Sequence, residues 1–304
     1  MSTSRTRGQR AGLGLGTAQF GLDYGISNAD GRTPPANVRG ILEAAIHGGV
    51  EVLDTACDYG NSEDVLGQAG VAERGFRIVA KTSAFPGLRI DTNHAKQIDL
   101  EFRQSLRQMK VSRVSALLVH YADDLLKEGG ERLFAAMQNL QQAGLVERIG
   151  ASAYTESQIL ALVERYPIDI LQVPISVLDQ RLMARGILAE LRRRNIEVHA
   201  RSVFLQGLLF MNPDSLAPHF NTVREHLTGL HRTIQECGLT AQQVALGFVR
   251  ALPEVDVVLV GVNSESQLRQ LLASADTPVA ISDWARFAWA DPEILEPSRW
   301  PRRP

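Results

Sequence analysis

Short apolar runs alternate with longer amphipathic segments along nearly the whole chain. The apolar runs predict strands at residues 13–16, 50–54, 76–81, 114–120, 147–151, 168–173, 196–201 and 255–260. Helical spacing of apolar residues follows each run, with segments beginning near residues 38, 62, 94, 127, 155, 183, 222, 240 and 264. Strands that alternate with helices predict a parallel sheet covered by helices. Eight such units favour an α/β chain folded as a closed (β/α)8 TIM barrel rather than an open sheet.

One barrel domain is predicted to span residues 1–304, although length alone also allows two smaller domains. Residues 1–11 form a polar arm before the first strand. Residues 282–304 form an aromatic and proline-rich tail loop that includes Trp284, Phe287, Trp289 and Trp300. Such a tail either closes over a substrate or seals the side of the barrel, and the sequence does not choose between the two.

Composition excludes several classes of function. The 32 basic and 34 acidic residues leave no strong field for nucleic acid or an anionic membrane. No run of eighteen apolar residues predicts a membrane span, and the basic N-terminus lacks the apolar core of a signal peptide. Two distant cysteines, Cys57 and Cys237, predict a reducing compartment, hence the cytoplasm. Cys57 is interpreted as a small buried thiol.

Polar side chains stand where three successive apolar strands end. The strands end in Asp54, Lys81 and His120, and Tyr59 follows Asp54 by five residues. Barrel enzymes carry their chemistry on the loops that leave the carboxyl ends of the strands. The four side chains are therefore predicted to form a site.

These residue types suit proton transfer to a carbonyl oxygen. A free phenol titrates near pH ~10 and a free lysine near ~10.4, so neither alone donates well at neutral pH. An ammonium at Lys81 is expected to lower the pKa of Tyr59, while Asp54 keeps that ammonium charged. His120 would orient the substrate oxygen by a hydrogen bond, so that the relay ends in Tyr59 as general acid.

The order and spacing of these residues resemble the catalytic tetrad of the aldo-keto reductases. The resemblance includes LGLGTAQFG at residues 13–21, GASA at 150–153, QVP at 172–174 and VGVNS at 260–264. It implies a reversible reduction of a small-molecule aldehyde or ketone to an alcohol, as in bacterial NAD(P)H-dependent members. The hydride would come from nicotinamide and the proton from Tyr59.

No G-x-G-x-x-G motif follows the first strand, so a Rossmann-type nucleotide site is not predicted. Barrels commonly hold phosphate near the loops after strands seven and eight. The resemblance implies cofactor contacts from Gly16, Thr17, Ser152, Gln172, Arg201, Ser202, Phe204, Leu205, Gln206, Gly207, Gly261, Val262, Asn263, Ser264 and Gln267. The alternative for Ser264 is a simple helix cap, and for Gly261 a strand terminator.

Three features depart from the family pattern. Members often place a lysine or arginine against the 2′-phosphate of NADPH, but this stretch has Val262, Asn263 and Gln267. NADPH is expected from the resemblance, and the missing basic residue leaves NADH as the alternative. Arg201 occupies the position of an aromatic residue that commonly stacks on nicotinamide. Ala153 replaces an asparagine, which removes one polar contact.

Asp58 and Tyr121 flank tetrad positions and compete for their roles, and Tyr121 is interpreted as a pocket wall. The other histidines lack ligand spacing, so no metal is predicted. Two alternatives to a reductase stay open. One is an aldolase that uses Lys81 as a Schiff base, and the other is a nucleotide-binding regulatory subunit with negligible turnover. The sequence predicts neither the substrate nor the oligomeric state.

Overall fold

Eight parallel strands close into a barrel, with each strand hydrogen-bonded to its neighbours in sequence order and β8 paired to β1. The computed structural model describes residues 10–301. The strands are β1 (Gly12–Gly16), β2 (Val52–Asp54), β3 (Arg77–Lys81), β4 (Val114–Val119), β5 (Val146–Ser152), β6 (Ile170–Pro174), β7 (Glu197–Arg201) and β8 (Val257–Gly261). The predicted (β/α)8 TIM barrel is confirmed.

Helices surround the strands. They are α1 (Ala18–Gly21), α2 (Pro35–His47), α3 (Ser62–Gln68), α4 (Thr92–Met109), α5 (Ala122–Leu126), α6 (Glu131–Gln142), α7 (Glu156–Arg165), α8 (Arg181–Ala184), α9 (Ile187–Arg193), α10 (Arg224–Glu236), α11 (Ala241–Arg250), α12 (Glu265–Ala275) and α13 (Pro292–Leu295). Short 3₁₀ turns occupy Val71–Glu73, Leu205–Phe210, Pro213–Ser215, Pro218–Val223, Ala285–Phe287 and Pro297–Arg299.

Local chemistry explains where the helices depart from prediction. The helix predicted from residue 183 is two helices, because Gly186 is left-handed at φ 72° and interrupts it. The helix predicted from residue 127 begins at Glu131, after the separate α5. The helix predicted from residue 62 begins there, with Asn61 in the cap position, and the buried Ser62 hydroxyl donates to the carbonyl of Thr17 at 2.9 Å.

The interior of the barrel is apolar at its middle. Seven side chains form this layer: Val52, Val79, Ala116, Leu118, Ile170, Val257 and Leu259. A Cβ added to Gly14 would lie 2.6 Å from Leu259 and 2.8 Å from Val257, so this layer leaves no room for a side chain there. Because side chains alternate along a strand, residues two positions on from this layer also face inward. The strand-end residues Asp54 and Lys81 are therefore inside the barrel, at its carboxyl end.

The aromatic side chains of the tail pack against the outer helices. Trp284 lies 4.9 Å from Phe248 of α11 between ring centroids, and Trp300 lies 5.0 Å from Phe220. These side chains seal the side of the barrel. Pro297 and Ser298 of the same tail line the main cavity.

Residues 1–9 of the predicted polar arm and residues 302–304 of the tail lie outside the described part of the chain. Within residues 10–301, no helix has both the length and the apolar character that crossing a bilayer requires. In the same range, no three His, Cys, Asp or Glu side chains are grouped so that they could hold a metal ion.

Candidate active site

A cavity of about 730 Å³ opens at the carboxyl end of the barrel. Most of the predicted site residues line it: Gly16, Asp54, Tyr59, His120, Ser152, Gln172, Arg201, Ser202, Phe204, Gln206, Gly207, Gly261, Val262, Asn263 and Gln267. Four predicted residues lie behind this surface, namely Lys81, Thr17, Leu205 and Ser264. The structure therefore brings together side chains from all parts of the chain, as strand ends in a closed barrel require.

A buried ion pair lies beneath the cavity. The Lys81 ammonium donates to Asp54 Oδ1 at 2.5 Å and to the carbonyl of Thr55 at 3.0 Å. Asp54 Oδ2 accepts from the Gln172 amide at 2.7 Å, so both carboxylate oxygens are engaged. Burial lowers the pKa of Lys81, and the Asp54 carboxylate opposes that shift. Gln172 therefore supports the tetrad carboxylate as well as facing the cavity.

Tyr59 lies directly above this pair. The Lys81 Nζ atom is 5.1 Å from the centroid of the Tyr59 ring. Burial raises the pKa of Tyr59, the Asp54 carboxylate raises it further, and Arg201 partly opposes the shift. The predicted lowering of this pKa is wrong, because burial and a nearby carboxylate outweigh the cations. The phenol is therefore protonated at neutral pH.

His120 faces the phenol. The two rings meet edge to face, with centroids 5.7 Å apart at an interplanar angle of 80°. The backbone amide of His120 donates to the Thr82 hydroxyl at 3.3 Å, which fixes the residue just past the end of β4. Burial lowers the pKa of His120, while the Asp58 carboxylate raises it. Tyr121 lies beside the imidazole at 4.7 Å and forms part of the cavity wall, as predicted.

Three of the residues behind the cavity have structural contacts. The Thr17 hydroxyl donates to the carbonyl of Asp54 at 3.0 Å and is buried. The Leu205 side chain is fully buried in the hydrophobic core. The Ser264 hydroxyl accepts from the amide of Gln267 at 3.2 Å, which makes it the cap of α12. For Ser264 the structure bears out the helix-cap alternative.

Arg201 organises the side of the cavity opposite the phenol. Its guanidinium donates to the Ser152 and Ser202 hydroxyls, each at 3.2 Å, and its carbon lies 3.9 Å from the centroid of the Tyr154 ring. The carbonyl of Ala153 accepts a further hydrogen bond at 3.4 Å. The planar cation is thus held at the end of β7 by stacking on Tyr154, a residue that sequence reasoning missed.

A polar segment crosses the cavity opposite the barrel. Residues 23–32, named the strap here, connect to the loop after β7 through a hydrogen bond from the Ile26 amide to the Gln206 carbonyl at 3.0 Å. The Asn263 amide, after β8, donates to Asn28 Oδ1 at 2.8 Å and to the carbonyl of Gly31 at 2.7 Å. Asn263 therefore fastens the strap, and the strap was not among the predicted site residues.

The strap also explains a glycine. A Cβ added to Gly207 would lie 1.8 Å from the Ser27 hydroxyl oxygen, and the Gly207 φ of 95° is left-handed. The two preceding residues, Leu205 and Gln206, are left-handed as well, at φ 46° and 51°. This backbone turns sharply so that the loop after β7 meets the strap at close range. Sequence gave no signal for this beyond the polarity of residues 23–32.

Cys57 lies in the same loop as Tyr59 and is partly buried. Burial raises the pKa of its thiol to about 12, and the Asp58 and Glu63 carboxylates add to the shift. Thiolates rather than thiols react with electrophiles and metals. This thiol is therefore mostly protonated at neutral pH, but it is only partly buried, so the prediction of a buried thiol holds only in part.

The cavity is compatible with a nicotinamide dinucleotide. It runs without interruption from Tyr59 and His120, past Ser152, to Gln267 in the first turn of α12. Free backbone amides at a helix N-terminus attract anionic oxygens, and Gly261 places no side chain of its own beside them. Its volume lies within the usual range for small-molecule and cofactor sites.

Comparison with known proteins identifies the family. A sequence profile of the aldo/keto reductase family matches residues 12–291. The chain belongs to the aldo/keto reductase family. Members are oxidoreductases that use nicotinamide cofactors, and this aldo/keto reductase is therefore an enzyme of that general class.

Named relatives agree with this assignment. The 6-dehydroglucose reductase of Agrobacterium fabrum is 26% identical over 257 residues, which cover 79% of this chain and 82% of the relative. The aldo-keto reductase YhdN of Bacillus subtilis is 26% identical over 286 residues, covering 85% and 83%. Aldo-keto reductase AKR11C1 of Bacillus halodurans, solved in its holo form, shares the fold with a TM-score of 0.70 at 19% identity, covering 90% of each chain.

A structure of the Bombyx mori aldo-keto reductase in complex with NADP has a TM-score of 0.66 at 19% identity and covers 91% of this chain and 88% of its own. At these identities the structures support the barrel fold of this aldo/keto reductase. The cofactor in the silkworm structure is a property of that protein.

Proposed function

We propose that this aldo/keto reductase reduces an aldehyde or ketone to an alcohol, reversibly, as a single barrel domain in the cytoplasm. NADPH is the proposed cofactor, with NADH as the alternative, and Tyr59 is the proposed proton donor. One observation carries the proposal. A protonated phenol and an imidazole face each other above a buried Asp54–Lys81 pair, within a cavity that extends to the loops after β7 and β8.

The residues that would hold the nucleotide are divided along the cavity. Ser152 and Gln172 lie at the barrel centre, where they suit the carboxamide of a nicotinamide ring. The loop from Ser202 to Gly207 and the start of α12 suit the phosphates and the adenosine. When bound, a reduced nicotinamide would supply the hydride. Thr17 and Leu205 would contribute through their backbone, because their side chains are buried.

Tyr59 supplies the proton in this proposal. Its raised pKa keeps the phenol protonated at neutral pH, which suits reduction, since a carbonyl oxygen gains a proton as its carbon gains hydride. Alcohol oxidation requires the opposite transfer, so it is expected to proceed faster at high pH. The buried ammonium of Lys81 lies close enough to stabilise a phenolate after the proton has left.

The mouth of the cavity indicates the kind of substrate. Leu22, Tyr24, Tyr121 and Phe210 are all more than a third exposed and all line the cavity. Exposed apolar groups that cluster in this way mark binding surfaces. They suit an uncharged carbonyl compound with an apolar or ring-shaped body. The name of the Agrobacterium fabrum relative adds oxidised sugars to the compounds worth testing.

The position of Lys81 weighs against an aldolase. Its side chain is fully buried and hydrogen-bonded to Asp54 and Thr55, and it does not line the cavity. A Schiff-base lysine must reach the substrate carbonyl. Borohydride treatment with an aldehyde is therefore expected to trap no adduct on Lys81.

Nucleotide titration followed by turnover assays tests the proposal. Protein fluorescence is expected to change on binding NADPH, and absorbance at the nicotinamide band is expected to fall with an aldehyde panel. Tyr59→Phe should keep nucleotide affinity and lose about 10²- to 10⁴-fold in turnover, because a positioned acid contributes that much. Tight nucleotide binding without turnover on any carbonyl would favour a regulatory subunit. Unchanged turnover in Tyr59→Phe would remove the phenol from its role.

A further inference from the structure

One nitrogen of the His120 imidazole lacks a hydrogen bond. Its Nδ1 atom is buried and makes none with any residue of the described chain. A buried polar atom without a partner costs about 1–3 kcal/mol, so such an atom in a native site calls for an explanation. The ring is otherwise well fixed, between the edge of Tyr59 and the face of Tyr121.

A carboxylate faces that nitrogen. Asp58 Oδ2 lies 3.7 Å from His120 Nδ1, about half an ångström beyond hydrogen-bond range. Asp58 belongs to the loop between Asp54 and Tyr59, so the loop that presents the phenol also presents this carboxylate. The Asp58 side chain is 35% exposed and can rotate to close the gap. It is absent from the four-residue relay described above.

We propose that Asp58 is a positioning residue for His120, whose carboxylate keeps a proton on Nδ1 and thereby decides what Nε2 can do at the reacting oxygen. With Nδ1 protonated, a neutral ring can only accept a hydrogen bond at Nε2. A doubly protonated ring donates from Nε2 and polarises a carbonyl. Because Nε2 then donates only from the charged ring, carbonyl reduction requires a proton on His120 that alcohol oxidation does not. Asp58 favours this charged form.

The groups around the imidazole support this assignment. Burial has the largest effect and lowers the pKa of His120, and the Lys81 ammonium, at the end of β3, lowers it further. Asp58 and Asp54 act in the opposite direction and favour the charged ring. Tyr59 and Tyr121 touch the ring and are protonated at neutral pH, since burial raises the pKa of each. Asp58 is therefore the nearby charged group with both the sign and the position to hold a proton on Nδ1.

Direct titration of His120 by ¹H–¹⁵N NMR tests the proposal, with His120→Asn used to assign the signals. In the wild-type protein the neutral ring is expected to carry its proton on Nδ1. In Asp58→Asn the pKa of His120 should fall by about one unit, and the proton should move to Nε2. Asp58→Glu, which keeps the carboxylate, should restore the wild-type tautomer at least in part.

Asp123→Asn is the matched control. Asp123 is a nearby carboxylate that accepts a hydrogen bond from Gln158 at 2.7 Å, so this variant removes the same charge without touching His120. It should leave the titration of His120 unchanged.

The kinetic consequence rests on the proposed reductase function. Above the pKa of His120, kcat/KM for carbonyl reduction in the wild type should fall about tenfold per pH unit. Asp58→Asn should lose this fall, because its neutral ring can donate from Nε2. An unchanged tautomer and pKa in Asp58→Asn would overturn the proposal, and so would an unchanged pH profile. Absence of turnover in the wild type would instead overturn the reductase assignment, and the NMR result would still decide the role of Asp58.

Discussion

The two ends of the barrel interior carry similar charged side chains and differ in the groups that surround them. On β3 the inward residues run from Arg77 at the amino end to Lys81 at the carboxyl end, and on β7 they run from Glu197 to Arg201. Both ends also contain a histidine near a carboxylate. Residue type alone would therefore not tell the candidate active site from the opposite end.

At the amino end the charges neutralise one another. Glu197 accepts from Arg77 at 2.7 Å and shares a hydrogen bond of 2.8 Å with His199, and Arg148 also contacts it. A cavity of about 1170 Å³, larger than that of the candidate site, opens beside this cluster. Volume and charge are thus both present, and among residues 10–301 neither a tyrosine nor an exposed large apolar side chain lines this cavity. Polar groups at this end of a barrel generally serve stability.

At the carboxyl end a histidine nitrogen also lacks a hydrogen bond, as His199 Nδ1 does at the amino end within the described residues, but here a phenol stands beside it. Lys81 is held in a buried pair, His120 Nδ1 has no hydrogen bond, and the phenol of Tyr59 stays protonated above them. A reaction requires groups that can still donate or accept a proton beside a cavity. The comparison teaches that a protonated phenol beside a cavity with an apolar rim, rather than an unpaired histidine nitrogen, distinguishes the candidate active site from the opposite end.

The largest expected effect comes from making the same substitution at each end of β3. Lys81→Met should lower turnover at least 100-fold, because it removes the ammonium beneath Tyr59 and leaves Asp54 uncompensated. Arg77→Met, the same substitution at the other end, should leave turnover within about twofold and cost about 1 kcal/mol of stability, as expected for a partly exposed pair. Steady-state kinetics and urea unfolding measure the two effects. Equal losses of turnover would abolish the distinction between the ends.

A smaller effect is expected at Glu63, a buried carboxylate of α3 whose Oε1 atom has no hydrogen bond within the described chain. Burial raises its pKa to about 7, above the ordinary value of 4.5. The folded protein therefore retains this proton between those values, and stability is lost as pH rises through 7. Glu63→Gln, which stays neutral, should exceed the wild type by up to roughly 3 kcal/mol at pH 8 and match it below pH 4.5.

The matching change at the amino end has the opposite sign. Glu197→Gln should lower stability by about 2 kcal/mol, because it weakens hydrogen bonds to charged partners. Urea unfolding of both variants at pH 5 and pH 8 measures these differences. A Glu63→Gln protein that gains nothing on going to pH 8 would contradict the account of this carboxylate.

The smallest effect is expected at the strap. Asn263→Ala removes two hydrogen bonds to residues 28 and 31, so nucleotide should dissociate about fivefold faster, which corresponds to about 1 kcal/mol. Stopped-flow fluorescence with excess competing nucleotide measures the rate. Asn28→Ala should act in the same direction, and the double variant should add little. Full additivity would indicate that Asn263 contacts the nucleotide instead.

The fold and the placing of Asp54 and Lys81 inside the carboxyl end of the barrel were predictable because both follow from strand periodicity. Asp54 and Lys81 end apolar runs, and a period of two places such residues inside a closed barrel. The family resemblance added the nucleotide side. The role of Asn263 was not predictable, because its partners lie in the strap more than 230 residues away. Neither was the sign of the Tyr59 pKa shift, which depends on burial that local sequence does not encode.

Cys57 lies two residues before Tyr59, the proposed proton donor, and its protonation state bears on how the protein withstands reactive compounds. With a pKa of about 12, the Cys57 thiol is almost never ionised at neutral pH. Cysteine sulfur reacts with aldehydes and oxidants chiefly as the thiolate. If the protein reduces aldehydes as proposed, this thiol would be spared modification by its substrates, and thiol-directed reagents should label the exposed Cys237 first.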